Sequence, residues 1–294
     1  MSGDTLRLAS GALSIELSRF GGSILSGSYA GIPIFRPTET DGLASQRHGA
    51  EAGFPLVPFG NRLEGNTFTL AGHRYALPRN AGDPCYLHGD GWLATWEVAS
   101  HSKTEACLRY EHRAVAPSPY AYDAVQHFSV DGDRLTIRLA VTNRSALALP
   151  MGLGHHPFFP KTAGTRLGAK ADRFWTERAG HLPDQPGAIP RNLDFESGNP
   201  LPRQWLNNAY EDWDGKAVIE WTERDLCLEI EAGLPFRHFM LYTPEDADFF
   251  CLEPMTHLPN GHHLPGLGGL SVLQSDESLV GTITFTPRLI AKER

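Results

Sequence analysis

The chain has 294 residues, a hydrophobic fraction of 41% and a formal charge of -8 at neutral pH. An acidic balance with no basic stripe argues against nucleic acid or an anionic membrane as partner. No apolar run approaches the roughly 20 residues that span a bilayer, and MSGDTLRLAS at the start lacks the charged and apolar regions of a secretory leader. The expectation is a soluble, cytoplasmic protein. Its four cysteines (Cys85, Cys107, Cys227 and Cys251) form no CxxC pair and fit reduced thiols better than a disulfide framework.

Along the chain the apolar residues alternate with polar ones. Leu13, Ile15 and Leu17 open the pattern; Leu135, Ile137, Leu139 and Val141 repeat it; Ile283 and Phe285 close it. Period two predicts half-buried strands. The spacers draw on 30 glycines and 22 prolines, and roughly a dozen short strands set apart by such turns predict a sandwich or barrel. No segment carries a long helical period. Residues 161–205 are rich in Pro, Gly and Asp with little alternation, so they read as one long irregular excursion over the surface. With no repeat and no composition boundary, residues 1–294 are expected to form a single, mainly antiparallel all-β domain.

Three stretches hold the candidate chemistry. The first is FPLVPFGNRLEGNTFTLAGHRYAL (54–77), running on to LHGDGW (87–92); the second is GLGHHPFF (152–159); the third is CLEPMTHLPNG (251–261). In the third, Glu253 follows Phe249, Phe250, Cys251 and Leu252, apolar company that would raise a carboxyl's pKa toward that of a useful base. The plainer alternative is a strand-end glutamate in solvent. In the second, His155 and His156 must point to opposite faces of an extended chain. His155 falls in line with Leu153, Met151 and Leu149, a core-like face. His156 falls in line with Gly154, Gly152 and Pro150, and strand glycines often mark a ligand's close approach. His156 is therefore the candidate, unless both are structural histidines beside Pro157.

Taken in order, these stretches resemble the aldose 1-epimerase (galactose mutarotase) family: an NR, then G-x-F and G-x-x-Y-x-L, an HG, an H-x-[YF]-F and a late LE. LPDQPGAIPRNLDF (182–195) and LNNAYEDWDG (206–215) also look like its middle region, so the resemblance spans nearly the whole chain. It implies a β-supersandwich, a free monosaccharide as substrate, interconversion of α and β anomers, and no metal or organic cofactor. Assembly as monomer or homodimer stays open. Ring opening needs a base for the anomeric hydroxyl and an acid for the ring oxygen; a carboxylate and a histidine on opposite sides of a sugar supply both.

The resemblance implies Glu253 as the base, His156 as the acid, and His88 as a second histidine that orients the sugar and shares the acid role. It also implies Arg62, and Asn61 beside it, as hydroxyl-binding groups, against the alternative of an Arg62–Glu64 surface salt bridge. Asn207 is a departure: the family usually has a sugar-binding Asp there, and an amide carries no charge. Trp92, Trp175, Trp205 and Trp213 are stacking candidates, though a Trp in a β protein is more often core. His257, His262 and His263 are expected to form a rim loop rather than a metal site. Two competing functions remain. A sugar-binding protein without catalysis would explain Asn207 but not the retained acid and base. A hexose-phosphate epimerase typically shows HGFAR where this chain has HGDGW, and Asp90 would repel a phosphate.

Overall fold

The computed structural model describes residues 5–38 and 49–290; residues 1–4, where a leader would begin, lie outside the described residues. Two large sheets carry the fold, and every strand ladder among the described residues is antiparallel. The larger sheet runs, edge to edge, through Thr5–Ser10, Leu13–Ser18, Ser23–Tyr29, Gly53–Leu56, Gly154–Pro160, Phe249–Met255, His238–Thr243, Leu206–Glu211, Arg173–Arg178 and Leu182–Gly187. The second sheet includes Tyr122–Asp131, Arg134–Asn143 and Ser278–Leu289, the strands whose alternation is cleanest in the sequence. Among the described residues the only helical pieces are short 3-10 turns, and no helix is long and apolar enough to cross a membrane.

The central strands of the larger sheet are buried on both faces. One face joins the main core between the sheets: Phe250, Leu252, Phe239, Leu241 and Phe159 belong to it. The other carries a smaller cluster that includes Phe54, Phe158, Met240, Cys251 and Met255. Two covered faces explain why FFCLEPM is a continuous apolar run instead of an alternating one. They also place Glu253 on the face of Cys251 and Met255, away from the main core.

Residues 161–205 differ from expectation. They are not an irregular excursion: they contribute Thr165–Ala169 and Asn199–Pro200 to the second sheet, and the hairpin Arg173–Arg178/Leu182–Gly187 to the larger one. Pro183 and Pro186 obscure the hairpin in the sequence. They are tolerated because Leu182–Gly187 is an edge strand, where a missing N–H breaks no central ladder.

Candidate active site

Strand register builds the site in two rows. The pairs Gly154↔Met255 and Phe158↔Cys251 bring His156 opposite Glu253. His156 pairs with Phe54 on its other side, and Glu253 with Met240. The next row along the same face holds Phe158, Cys251, Tyr242 and Asn207. The ladder Arg173↔Glu211, Phe174↔Tyr210, continued, sets Glu177 opposite Asn207. A bulge between Trp175 and Glu177 loosens the hairpin there. Asn208 then donates its side-chain amide to the Trp175 carbonyl at 2.8 Å.

These rows floor a cavity of about 210 Å³ lined by Asn61, Arg62, His88, His156, Asn207 and Glu253, together with His181, Trp205 and Tyr242. All six residues singled out in the sequence thus come together, from five separate segments. His155 does not line it. It is fully buried, and neither ring nitrogen has a hydrogen-bond partner.

One half of the reason for preferring His156 holds, since Leu149, Met151 and Leu153 belong to the main core; the glycine half does not. The strand breaks between Met151 and Gly154, and the glycines make room for protein, not ligand. A side chain at Gly152 would collide with the His257 ring, and one at Gly154 with Leu56.

His156 Nε2 lies 3.2 Å from Glu253 Oε1. The two sit side by side rather than on opposite sides of a cleft. Phe54 and Phe158 stack on the imidazole, each with ring centroids 4.7 Å away. Glu253 is 3% exposed, and its Oε2 has no hydrogen-bond partner. Burial pushes the Glu253 carboxyl up to about 8, against a smaller lowering by the nearby Arg62 charge. Burial also lowers His156 to about 3. With the two groups in contact, these values describe one proton held by the pair, resting on the carboxyl.

His88 approaches from the LHGDGW loop, its ring 5.2 Å from that of His156. Asn61 and His88 clasp each other: His88 N–H donates to the Asn61 carbonyl at 2.9 Å, and Asn61 N–H donates to His88 Nδ1 at 3.1 Å. Both have left-handed backbones, φ 61° and 59°, a conformation that asparagine tolerates but that costs a histidine about 1 kcal/mol or more. The clasp fixes the His88 tautomer: Nδ1 accepts, so Nε2 carries the proton. Burial holds this ring well below its usual pKa, helped by the neighbouring His156 and Arg62.

Arg62 pairs with Asp83 through Nε and Nη2 at 3.0 and 2.9 Å. The alternative of an Arg62–Glu64 salt bridge is not realised: Glu64 instead binds Arg178 at 2.6 Å. Asp90 does not line the cavity. Its carboxylate meets the Tyr86 hydroxyl and lies 3.5 Å from His112, so it is in no position to repel a phosphate. The neutralisation of Arg62 by Asp83 takes over that part of the case against a phosphorylated substrate.

Of the four tryptophans only Trp205 lines the cavity, 42% exposed. Trp92 stacks on Phe54 beneath it, and Trp175 and Trp213 are buried. His257 accepts from Gly60 N–H, His262 bonds the Tyr120 hydroxyl and His263 meets the Thr67 carbonyl. Each is engaged in holding loops.

Comparison with known proteins gives a consistent result. The family model for aldose 1-epimerase matches residues 4–286. YphB, an uncharacterized protein of Escherichia coli K12, is 40% identical over 290 residues, covering 95% of this chain and 97% of its own. A crystal structure from E. coli K12, described as that of a candidate aldose 1-epimerase, superposes with a TM-score of 0.91 at 38% identity, over 97% of this chain and 99% of its own. A Caenorhabditis elegans homologue of aldose epimerases shares the fold at 17% identity, with a TM-score of 0.83 over 98% and 99%.

Proposed function

Since this chain belongs to the aldose 1-epimerase family, we propose that it interconverts the α and β anomers of a free monosaccharide. The observation that carries the proposal is the contact between His156 and Glu253 at the floor of the cavity. The oxygens that exchange protons in ring opening, the anomeric hydroxyl and the ring oxygen, are both bonded to C1. An acid and a base that serve them can therefore be neighbours.

The pair needs one proton. With that proton on His156, Glu253 is the carboxylate that takes the anomeric proton while His156 gives its own to the ring oxygen and the C1–O bond breaks. The open aldehyde then stands against protonated Glu253 and neutral His156, the arrangement favoured by their burial. Rotation about C1–C2 presents the other carbonyl face. Reclosure returns each proton along the same route. Proton count is conserved at every stage, so no outside acid or base is required. Each positioned transfer contributes roughly 10²–10⁴-fold. His88, with its proton on Nε2, donates to a sugar oxygen, and Arg62, held by Asp83, offers its remaining donors to hydroxyls.

Polarimetry tests this reading. Freshly dissolved α-D-glucose, α-D-galactose and a panel of other aldoses are followed with and without protein. Faster equilibration, lost in Glu253→Gln and His156→Asn, is expected. If no aldose equilibrates faster, catalysis is excluded; a sugar bound without acceleration would instead identify a binding protein.

A further inference from the structure

Beyond the proton-transfer pair, one carboxylate gathers three donors from the cavity wall. Glu177 Oε1 accepts from the Asn207 side-chain amide at 2.9 Å and faces His181 Nδ1 at 2.6 Å; its Oε2 accepts from Trp205 Nε1 at 2.8 Å. All three partners line the cavity and Glu177 does not. Burial alone would raise this carboxyl, but the three hydrogen bonds outweigh it and hold it below its usual range. His181 reaches its place from the hairpin turn with φ 59°, after Gly180 at φ 80°. Its ring packs 5.1 Å from that of Trp205, which in turn meets Tyr242 edge-on at 5.2 Å.

We propose that Glu177 sets sugar selectivity without touching the sugar, by holding Asn207, His181 and Trp205 so that Asn207 Oδ1 faces the cavity and accepts from one sugar hydroxyl. This rests on the functional reading above. A carboxylate can only accept, so the Asn207 NH2 must face Glu177 and its carbonyl oxygen must face away. The negative charge absent at position 207 is supplied one strand over. A neutral sugar suits this wall; a sugar bearing phosphate or carboxylate at that corner would meet Glu177 behind the amide. Glu177 is a positioning residue.

The experiment exchanges the two groups. Glu177→Gln puts an NH2 where an acceptor is needed, and Asn207→Asp sets two carboxylates face to face. Each single variant should raise KM about tenfold with kcat within about twofold, the size expected for one mispaired polar contact. In the double variant the amide introduced at position 177 can donate to the carboxylate introduced at position 207, so KM should recover to within about threefold of wild type. Wild type should discriminate against one monodeoxy aldose in a positional series, and Glu177→Gln should erase most of that discrimination. A merely structural Glu177 would not give reciprocal rescue. The proposal is overturned if Glu177→Gln keeps the wild-type KM and deoxy-sugar profile, or if the double variant is as weak as the two singles multiplied. Wild type is assayed first: an inactive wild type sinks the functional reading and this one with it, whereas an active wild type with unaltered variants sinks this one alone.

Discussion

Replacing Glu253 by glutamine should abolish the reaction and stabilise the fold, and the stabilisation should depend on pH. In the unfolded chain this carboxyl titrates near 4.5; in the folded protein burial moves it to about 8. A raised carboxyl pKa reverses the usual sign. Below about pH 4.5 the group is protonated in both states and nothing is lost. As pH rises the unfolded chain gives up the proton first, and folding must hold it or bury the charge. The cost is complete above the folded value. At about 1.4 kcal/mol for each tenfold change in proton affinity, moving from 4.5 to about 8 amounts to about 5 kcal/mol.

The glutamine side chain has nearly the same shape, can still bond His156 and has no charge to bury. Urea unfolding of both proteins should therefore give a gain of about 1 kcal/mol or less for the variant near pH 5, rising to several kcal/mol near pH 9. Depressed histidines also make the fold acid-sensitive, but they are common to both proteins and drop out of the difference. Equal gains at the two pH values, or a loss near pH 9, would refute the desolvated carboxyl and with it the paired-proton mechanism.

The same pair fixes the rate profile: kcat/KM should fall as pH rises through about 8, because the shared proton is lost, with no descending limb near pH 6; stopped-flow polarimetry across that range checks it. His156→Asn should lose about 10²-fold or more in kcat, whereas His155→Asn should keep kcat and lose about 1–3 kcal/mol of stability, from an amide placed in a dry core. His88→Asn should melt close to wild type, since asparagine accepts the left-handed backbone, yet lose about 10²-fold in rate. Arg178→Gln should cost at most about 1 kcal/mol, as a half-exposed ion pair, but should raise KM for the sugar by releasing the hairpin from Glu64.

The legible parts of the site share one property: their signal lies within a few residues of themselves. Glu253 stands out because apolar neighbours on both sides imply two covered faces. His156 is separable from His155 by alternation, although the supporting glycines serve His257 and Leu56. Arg62 is placed at the cavity as expected, but the partner that holds it is not legible locally. Glu64 is two residues away, but the chain turns through a 3-10 segment at Glu64–Asn66 and delivers Asp83 instead. Glu177 and His181 leave no trace because their hairpin contains Pro183 and Pro186, which suppress a strand signal unless the strand is known to be an edge; Trp205, outside that hairpin, is legible only as one stacking candidate among four. Edge status is a property of the finished sheet.

That edge position has a consequence for how such a protein can be changed. The proposed proton-transfer pair sits on central strands, where each residue is constrained by neighbours on both sides and both faces. The wall built on Glu177 hangs from the last two strands, hydrogen-bonded inward to Leu206–Glu211 and Trp205 and pinned outward by Arg178. If the proposed roles hold, substrate preference and catalytic power are mechanically separable here. On the proposed reading, a transplanted hairpin of different length or sequence would alter which hydroxyls are recognised and leave the reacting pair intact, so new sugars are within reach by remodelling the margin alone.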